Sequence, residues 1–589
     1  MHVQTAPVET ASPKTPTFRA LRTFGVVMLL TSSAGLGCSG EAPRNDGGTG
    51  ALDGGGGGVE DAGTPVDGGN VDGGSVDGGN VDGGTPVDGG NVDGGGTDDG
   101  GTPVDGGDPY EAFQLADGHF IPAKMPMTLV HPRPDDETQV WARHRKAYPG
   151  LRYEIPVGVQ GGAWPFLYEL TDAPQGARIG QVYGQPNYGV VTWEAPASGT
   201  YSFEVTVTDQ ERNTAVATWT VEVDASAFIF LDGDRGDDAT GDGTLAQPFR
   251  TFSGWYRDDA NDNTHREKIL VIRESQSPYA LSGDPTNTNN NCRIRSDRKP
   301  IVWINYPDER PVIDAFQSKV VVVAPREDLF IAGLRFEHGR QDVNNAHFFW
   351  VQGDGDRITF WRNEYYDLGP GTVGTDNTGP VFISATGPAK RYILSKGNLY
   401  DEIRNEGYNG MYFEFYRTLY ALVEEETARN SSSAAGWFPK GAIAFTTVRN
   451  NMAVDNVTGT QMKGSFGGES GELPHDQEFC WNHIRTTNSD VSFMFSASNF
   501  YAGQHYNGFV YRNTFAVGGV WARFLGAEPY EYDGNVLFSD DTSRYGTDVI
   551  THPVVDDLVG DIASGMLDAD GLLTDDFAAY RGTHGHEVR

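Results

Sequence analysis

Phe360-Trp361-Arg362-Asn363, Leu394-Ser395-Lys396-Gly397-Asn398, Thr447-Val448-Arg449-Asn450, Phe479-Cys480-Trp481-Asn482, Val510-Tyr511-Arg512-Asn513 and Tyr532-Asp533-Gly534-Asn535 are short strand-like runs, each ending in asparagine. Two residues after each asparagine stands an apolar or aromatic side chain: Tyr365, Tyr400, Met452, Ile484, Phe515 and Leu537. The asparagines lie 35, 52, 32, 31 and 22 residues apart, so the longest interval hides a degenerate copy. A unit of roughly 20 to 50 residues with one fixed turn position is the signature of a solenoid. Because the unit is a short strand plus an Asn turn, the spacing predicts a parallel β-helix.

Strand alternation extends this to the outer surface. If every turn Asn points inward, the residue before it points out, which aligns Arg362, Gly397, Arg449, Trp481, Arg512 and Gly534. Coils about 4.8 Å apart would turn these into a ledge of guanidinium and indole groups. Arg pairs carboxylates bidentately and Trp stacks on sugar faces, so Arg362, Trp481 and Arg512 are candidate substrate-binding residues. The bland alternative is that the arginines satisfy carboxylates on neighbouring coils.

The segment that opens the solenoid is more specific. It reads Phe228-Ile229-Phe230-Leu231-Asp232-Gly233, then Gly241-Asp242-Gly243-Thr244-Leu245-Ala246-Gln247-Pro248-Phe249-Arg250-Thr251-Phe252. It resembles the first coil of the pectate-lyase-like right-handed β-helix superfamily, in which such a segment precedes a capping helix. Lys268 to Ile272 would then be the first strand of the helix proper, and Gly333-Leu334-Arg335-Phe336 resembles a turn common in its coils. The resemblance covers roughly residues 228 to 550 and implies an all-β fold, with the β-helix domain expected over 226–555. It leaves the activity open, because the superfamily includes lyases, hydrolases, esterases and adhesins.

The densest constellation lies between Tyr408 and Asn482. Ala421-Leu422-Val423-Glu424-Glu425-Glu426 is a candidate for the hidden coil. Two Lys-Gly steps, Lys440-Gly441 and Lys463-Gly464, flank Val448-Arg449-Asn450-Asn451 and look like the polysaccharide lyases of the superfamily. That resemblance implies a Lys, Arg or His base on stacked coils, with calcium or a cation neutralising the uronate. β-Elimination needs a base of suitable pKa and a positive group beside the substrate carboxylate. Lys463, Lys440 and Arg449 are candidates for those roles, His475 and Tyr412 are candidate acids, and Gln461 is a candidate substrate ligand. Glu424 and Glu425 are candidates to hold calcium or orient a lysine. Asp232, Asp234 and Asp238 form a second calcium candidate, with a solvated Asp turn as the alternative. A glycoside hydrolase would instead need two carboxylates flanking the scissile bond, and a third reading is a non-catalytic adhesin.

The rest of the chain bounds the setting. Lys14, Arg19 and Arg22 precede the apolar run 24–30 and small residues ending at Cys38. This resembles a bacterial lipoprotein signal, although Gly35 stands where the usual leucine would. It implies secretion, lipidation at Cys38 and a tether at the outer membrane. Residues 39–108 hold seven copies of Val-Asp-Gly-Gly and read as a flexible linker. Residues 109–225 alternate in short strands with Pro and Gly turns, predicting a β-sandwich. The run from Gly199 through Ala215 resembles bacterial Ig-like or cadherin-like modules, either as a spacer or as a sugar-binding accessory. Residues 556–589 read as a cap, with Thr583-His584-Gly585-His586-Glu587 outside the coils.

The net charge of -37 argues against a nucleic-acid partner, since phosphate binding needs a basic footprint. An acidic polysaccharide would likewise need a local cationic cluster. The three cysteines make no disulfide framework, and Cys292 and Cys480 read as buried thiols or one pair. A monomer is expected.

Overall fold

The computed structural model describes residues 109–116, 119–120, 122–133, 142–255, 268–280, 294–295, 301–315, 320–324, 327–339, 346–351, 355–368, 378–383, 389–404, 412–431, 436–441, 443–456, 460–464, 475–486, 493–497, 506–517, 530–539, 558–560, 566–567, 573–581 and 585–586. The signal, Cys38 and the linker lie outside these residues, as does Cys292.

From Phe228 onward the chain is a three-sided, right-handed parallel β-helix. Its first and second sheets each have 11 described strands and its third has 8. Phe228–Leu231 already pairs in parallel with Ile269–Ile272, so the first sheet starts one coil earlier than Lys268. A short helix, Phe252–Trp255, follows that opening strand. Leu558–Gly560 adds a last strand to the second sheet, beyond residue 555.

The core is filled by what each strand turns inward, one column from Ile229 and Leu270 through Ile331, Phe360, Val423, Val448 and Val510. Phe336, Tyr365 and Tyr400 form a second column, with rings stacked 5.7 and 5.3 Å apart. Cys480 is a buried free thiol.

The Asn corner is present, with one shift of register. Asn363, Asn398, Asn451, Asn482, Asn513 and Asn535 are buried and linked in a ladder, so the ladder residue after Arg449 is Asn451 rather than Asn450. Each Asn Nδ2 donates to a carbonyl of the coil before it: Asn482 to Val448, Asn513 to Phe479 and Asn535 to Val510, all at 2.9 Å. Each Oδ1 accepts the backbone N–H of the preceding ladder residue. The residue just before the ladder takes the left-handed conformation at Arg362, Gly397, Glu425, Asn450, Trp481, Arg512 and Gly534, with φ from 50 to 65°. A side chain is disfavoured there, and Gly and Asn tolerate it best, which explains why Asn450 occupies the corner and leaves the ladder to its neighbour.

The hidden copy is Val423-Glu424-Glu425-Glu426, and Glu426 replaces the ladder asparagine. It accepts from Asn398 Nδ2 at 2.8 Å, Trp437 Nε1 at 2.6 Å and the Ser395 hydroxyl. Burial nevertheless pushes its carboxyl up to about 7. A folded pKa above the unfolded one means the native state holds the extra proton, so stability falls as pH rises from about 4.5 to about 7. The full difference is about 3 kcal/mol. In pH-dependent unfolding, Glu426→Gln is expected to remove that slope relative to wild type; parallel curves would contradict the assignment.

Ahead of the solenoid, two sheets form the predicted β-sandwich: four strands including Gly199–Thr208 and Thr214–Val223, antiparallel except for Lys146–Ala147, which joins in parallel, against three antiparallel strands including Tyr153–Pro156 and Val190–Trp193. Trp193, Phe203 and Trp219 pack its centre.

Candidate functional site

The sandwich lies along the outer face of the first sheet. One outward column runs in register through Phe230, Val271, Ile304, Ala332, Trp361, Lys396, Glu424, Arg449, Cys480 and Tyr511. Gly158 approaches so closely that a Cβ there would fall 2.9 Å from Leu394. Arg449 Nη2 donates to Val159 O at 2.6 Å, and Trp164 packs on Trp481 at 5.3 Å between ring centres. The C-terminal tail also returns to this corner: Gly585 N–H donates to Gly534 O at 2.8 Å, and His586 Nε2 lies 3.2 Å from Asn450 Oδ1.

This seam covers most of the expected ledge. Arg449, Trp481 and Arg512 are 1, 5 and 7% exposed, so none can touch a polymer while the sandwich is seated. Arg449 sits one position before the corner and pairs with Glu424, through Nε at 3.0 Å and Nη2 at 2.8 Å. Lys396 Nζ takes the other Glu424 oxygen at 2.8 Å and reaches Glu425 at 3.2 Å. Burial pushes the Glu424 carboxyl up, but Lys396 and Arg449 together pull it below its ordinary value. Glu424 and Glu425 therefore do not fit a calcium ion: two cations already hold them.

The aspartates of the opening loop do not fit one either. Asp232 Oδ1 caps the N–H groups of Asp234 and Arg235 at 3.1 and 2.9 Å, and Asp238 accepts from Arg250 N, Thr251 N and Thr251 Oγ1 at 2.8, 3.0 and 2.6 Å. Asp234 accepts from Ser275 Oγ at 3.1 Å. These are oxygens spent on the turn itself. Tyr412 also departs from expectation: it lies in the solenoid core, fully buried and stacked on Tyr400 at 5.4 Å, so it reaches no substrate.

Lys440 and Lys463 hold one register position on adjacent coils of the third sheet, directly after Tyr416. Gln461 is on the same strand as Lys463. The side chains of Lys440, Lys463 and Gln461 lie outside the described residues. Phe413 and Phe415 belong to the core, so alternation puts Glu414 and Tyr416 on the opposite face. Burial and the Glu414 carboxylate push the Tyr416 phenol well above its ordinary range. His475 opens a strand of the first sheet, half-buried, with Nδ1 2.7 Å from Asp476 Oδ2, and so lies on a different sheet from the two lysines.

Arg362 is the ledge residue that stays open, at 36% side-chain exposure. It lines a cleft of about 500 Å³ where the sandwich edge leaves the early coils uncovered. Its guanidinium lies 4.7 Å from the Trp361 ring centre and donates to Pro186 O. Across the cleft Arg152 donates to Asp308 in a bidentate pair at 2.6 and 3.1 Å, and Arg310 pairs with Glu364. Arg152's hydrogen bonds hold Asp308 below the usual carboxylate range. Sequence reasoning missed Arg152 and Arg310 because they are brought together from different domains, with no local motif.

No protein-family model matches the chain, and no curated protein does. Among solved structures it is similar to a GH136 lacto-N-biosidase from Eubacterium ramulus, at TM-score 0.33 and 13% identity over 57% of this chain and 67% of that one. It is also similar to a rhamnogalacturonan lyase, at 0.27 and 12% over 61 and 99%. A family 28 exopolygalacturonase of Yersinia enterocolitica gives 0.29 and 8% over 70 and 89%. Likeness at these scores speaks to neither substrate nor residues.

Proposed function

We propose that this chain cleaves a uronate-containing extracellular polysaccharide by β-elimination, from a surface tether ending at lipidated Cys38. The supporting observation is the register of Lys440 and Lys463 on adjacent coils behind Tyr416. Like charges disfavour one another, so two lysines at one register position on adjacent coils would suit one neutral base and one cation. Lys463 acts as the base that takes the proton next to the uronate carboxylate, and Lys440 stays charged and stabilises the carbanion. The electron pair then expels the glycosidic oxygen, leaving an unsaturated sugar, and water protonates the leaving oxygen, because Tyr416 is too buried to reach it. Arg449 and Tyr412 take no part, because both are buried.

The test is incubation with alginate, pectate and glycosaminoglycans while ultraviolet absorbance follows the unsaturated product. Absorbance should rise with at least one polymer, and Lys463→Ala should lower kcat by about 10²- to 10⁴-fold. Reducing ends without absorbance would replace the lyase reading with hydrolysis. Retention of a polymer without cleavage would replace it with an adhesin. Full rate in Lys463→Ala would remove that residue as the base.

A further inference from the structure

We infer that the cleft between the sandwich and the early coils is a binding site for a neutral saccharide, held jointly by both domains. Its volume of about 500 Å³ falls within the range of small-molecule pockets. The charges along it are matched to one another: Arg152 to Asp308, Arg310 to Glu364, and Arg362 within 4.0 Å of Glu154. Glu309, a further carboxylate of the wall, is engaged by Arg273. An anionic ligand would meet four carboxylates with no surplus cation, and a cationic one would meet three guanidiniums. Sugar hydroxyls suit such a lining, because each can accept from a guanidinium and donate to a carboxylate.

The groups are also reachable and fixed. The Asp308 and Arg310 side chains are 78 and 51% exposed. Arg152 is fixed by its pair with Asp308, and its buried Nε lies 3.5 Å from Glu154 Oε2. Arg362 is pinned by its own left-handed backbone (φ 52°), by Trp361 beneath it and by Pro186 O, so little ordering is left for the ligand to impose. Gly333 shapes the wall: a Cβ there would lie 2.1 Å from Asn305 Oδ1, whose amide holds Glu309 O at 2.8 Å.

This site is separate from the two lysines, so its test does not depend on cleavage. The full chain is titrated by calorimetry with cellotetraose, xylotetraose and galactotetraose, and with trigalacturonate as the anionic probe. At least one neutral probe is expected to bind, and Asp308→Asn and Arg310→Ala are each expected to raise its Kd about tenfold or more. Both positions are exposed enough for the variants to fold, which circular dichroism checks. Neutral binding indifferent to both substitutions would overturn the inference. So would failure of every neutral probe, or trigalacturonate binding lost in Arg310→Ala.

Discussion

Glu424→Leu is expected to be among the most destabilising single changes in the solenoid, at about 3–5 kcal/mol. The substitution leaves Lys396 and Arg449, both almost wholly buried at the seam, without the carboxylate that holds them at 2.8 Å. Glu425 meets Lys396 alone, at 3.2 Å, and cannot compensate both cations. The damage should centre on the seam, because Arg449 also carries the hydrogen bond to Val159 O. Thermal unfolding should show a large loss, and limited proteolysis should find the sandwich released. Replacing Lys396, Glu424 and Arg449 together by apolar residues should recover much of it, since removing a whole buried charge network often costs little. Wild-type stability in Glu424→Leu would mean that the network is solvated and the sandwich is not seated.

Asn482→Ala is expected to cost a comparable amount by a different mechanism. The change strands the Asn451 N–H and one hydrogen of its Nδ2, which donate to Asn482 Oδ1 at 3.1 and 3.0 Å while the other Nδ2 hydrogen stays on Val423 O, and it removes the 2.9 Å side-chain donor of Val448 O. Each buried polar group left unpaired costs about 1–3 kcal/mol. Three lost bonds inside one corner should disturb both neighbouring coils. Amide exchange, rather than a single midpoint, suits a solenoid whose stability is a sum of neighbour terms. Exchange at Asn451 should accelerate far more than at coils several rungs away. Uniform protection would show that the ladder contributes little.

Much of the fold was legible because the ladder repeats a requirement that one residue type meets. An amide accepts from the coil on one side and donates two hydrogens, one to a coil on either side, which a hydroxyl with a single hydrogen cannot do, so asparagine marks the corner in the sequence. Where two asparagines stand together, at Asn450 and Asn451, the spacing alone could not tell the left-handed corner from the ladder, and that ambiguity moved Arg449 to the wrong position. The seam was harder to read. Phe228-Ile229-Phe230-Leu231 and Ile269-Leu270-Val271-Ile272 are apolar at every position, the pattern of strands buried on both faces. That pattern fits a sheet covered on its outer face, but it does not identify the covering element. The cleft was invisible to sequence because its arginines come from opposite sides of a domain boundary.

A crystal structure with a bound uronate oligosaccharide tests the central claim most directly. The sugar is expected on the third sheet beside Lys440 and Lys463, with the sandwich still seated over Arg449, Trp481 and Arg512. A sugar lying along Trp481 and Arg512, with the sandwich displaced from the first sheet, would contradict it.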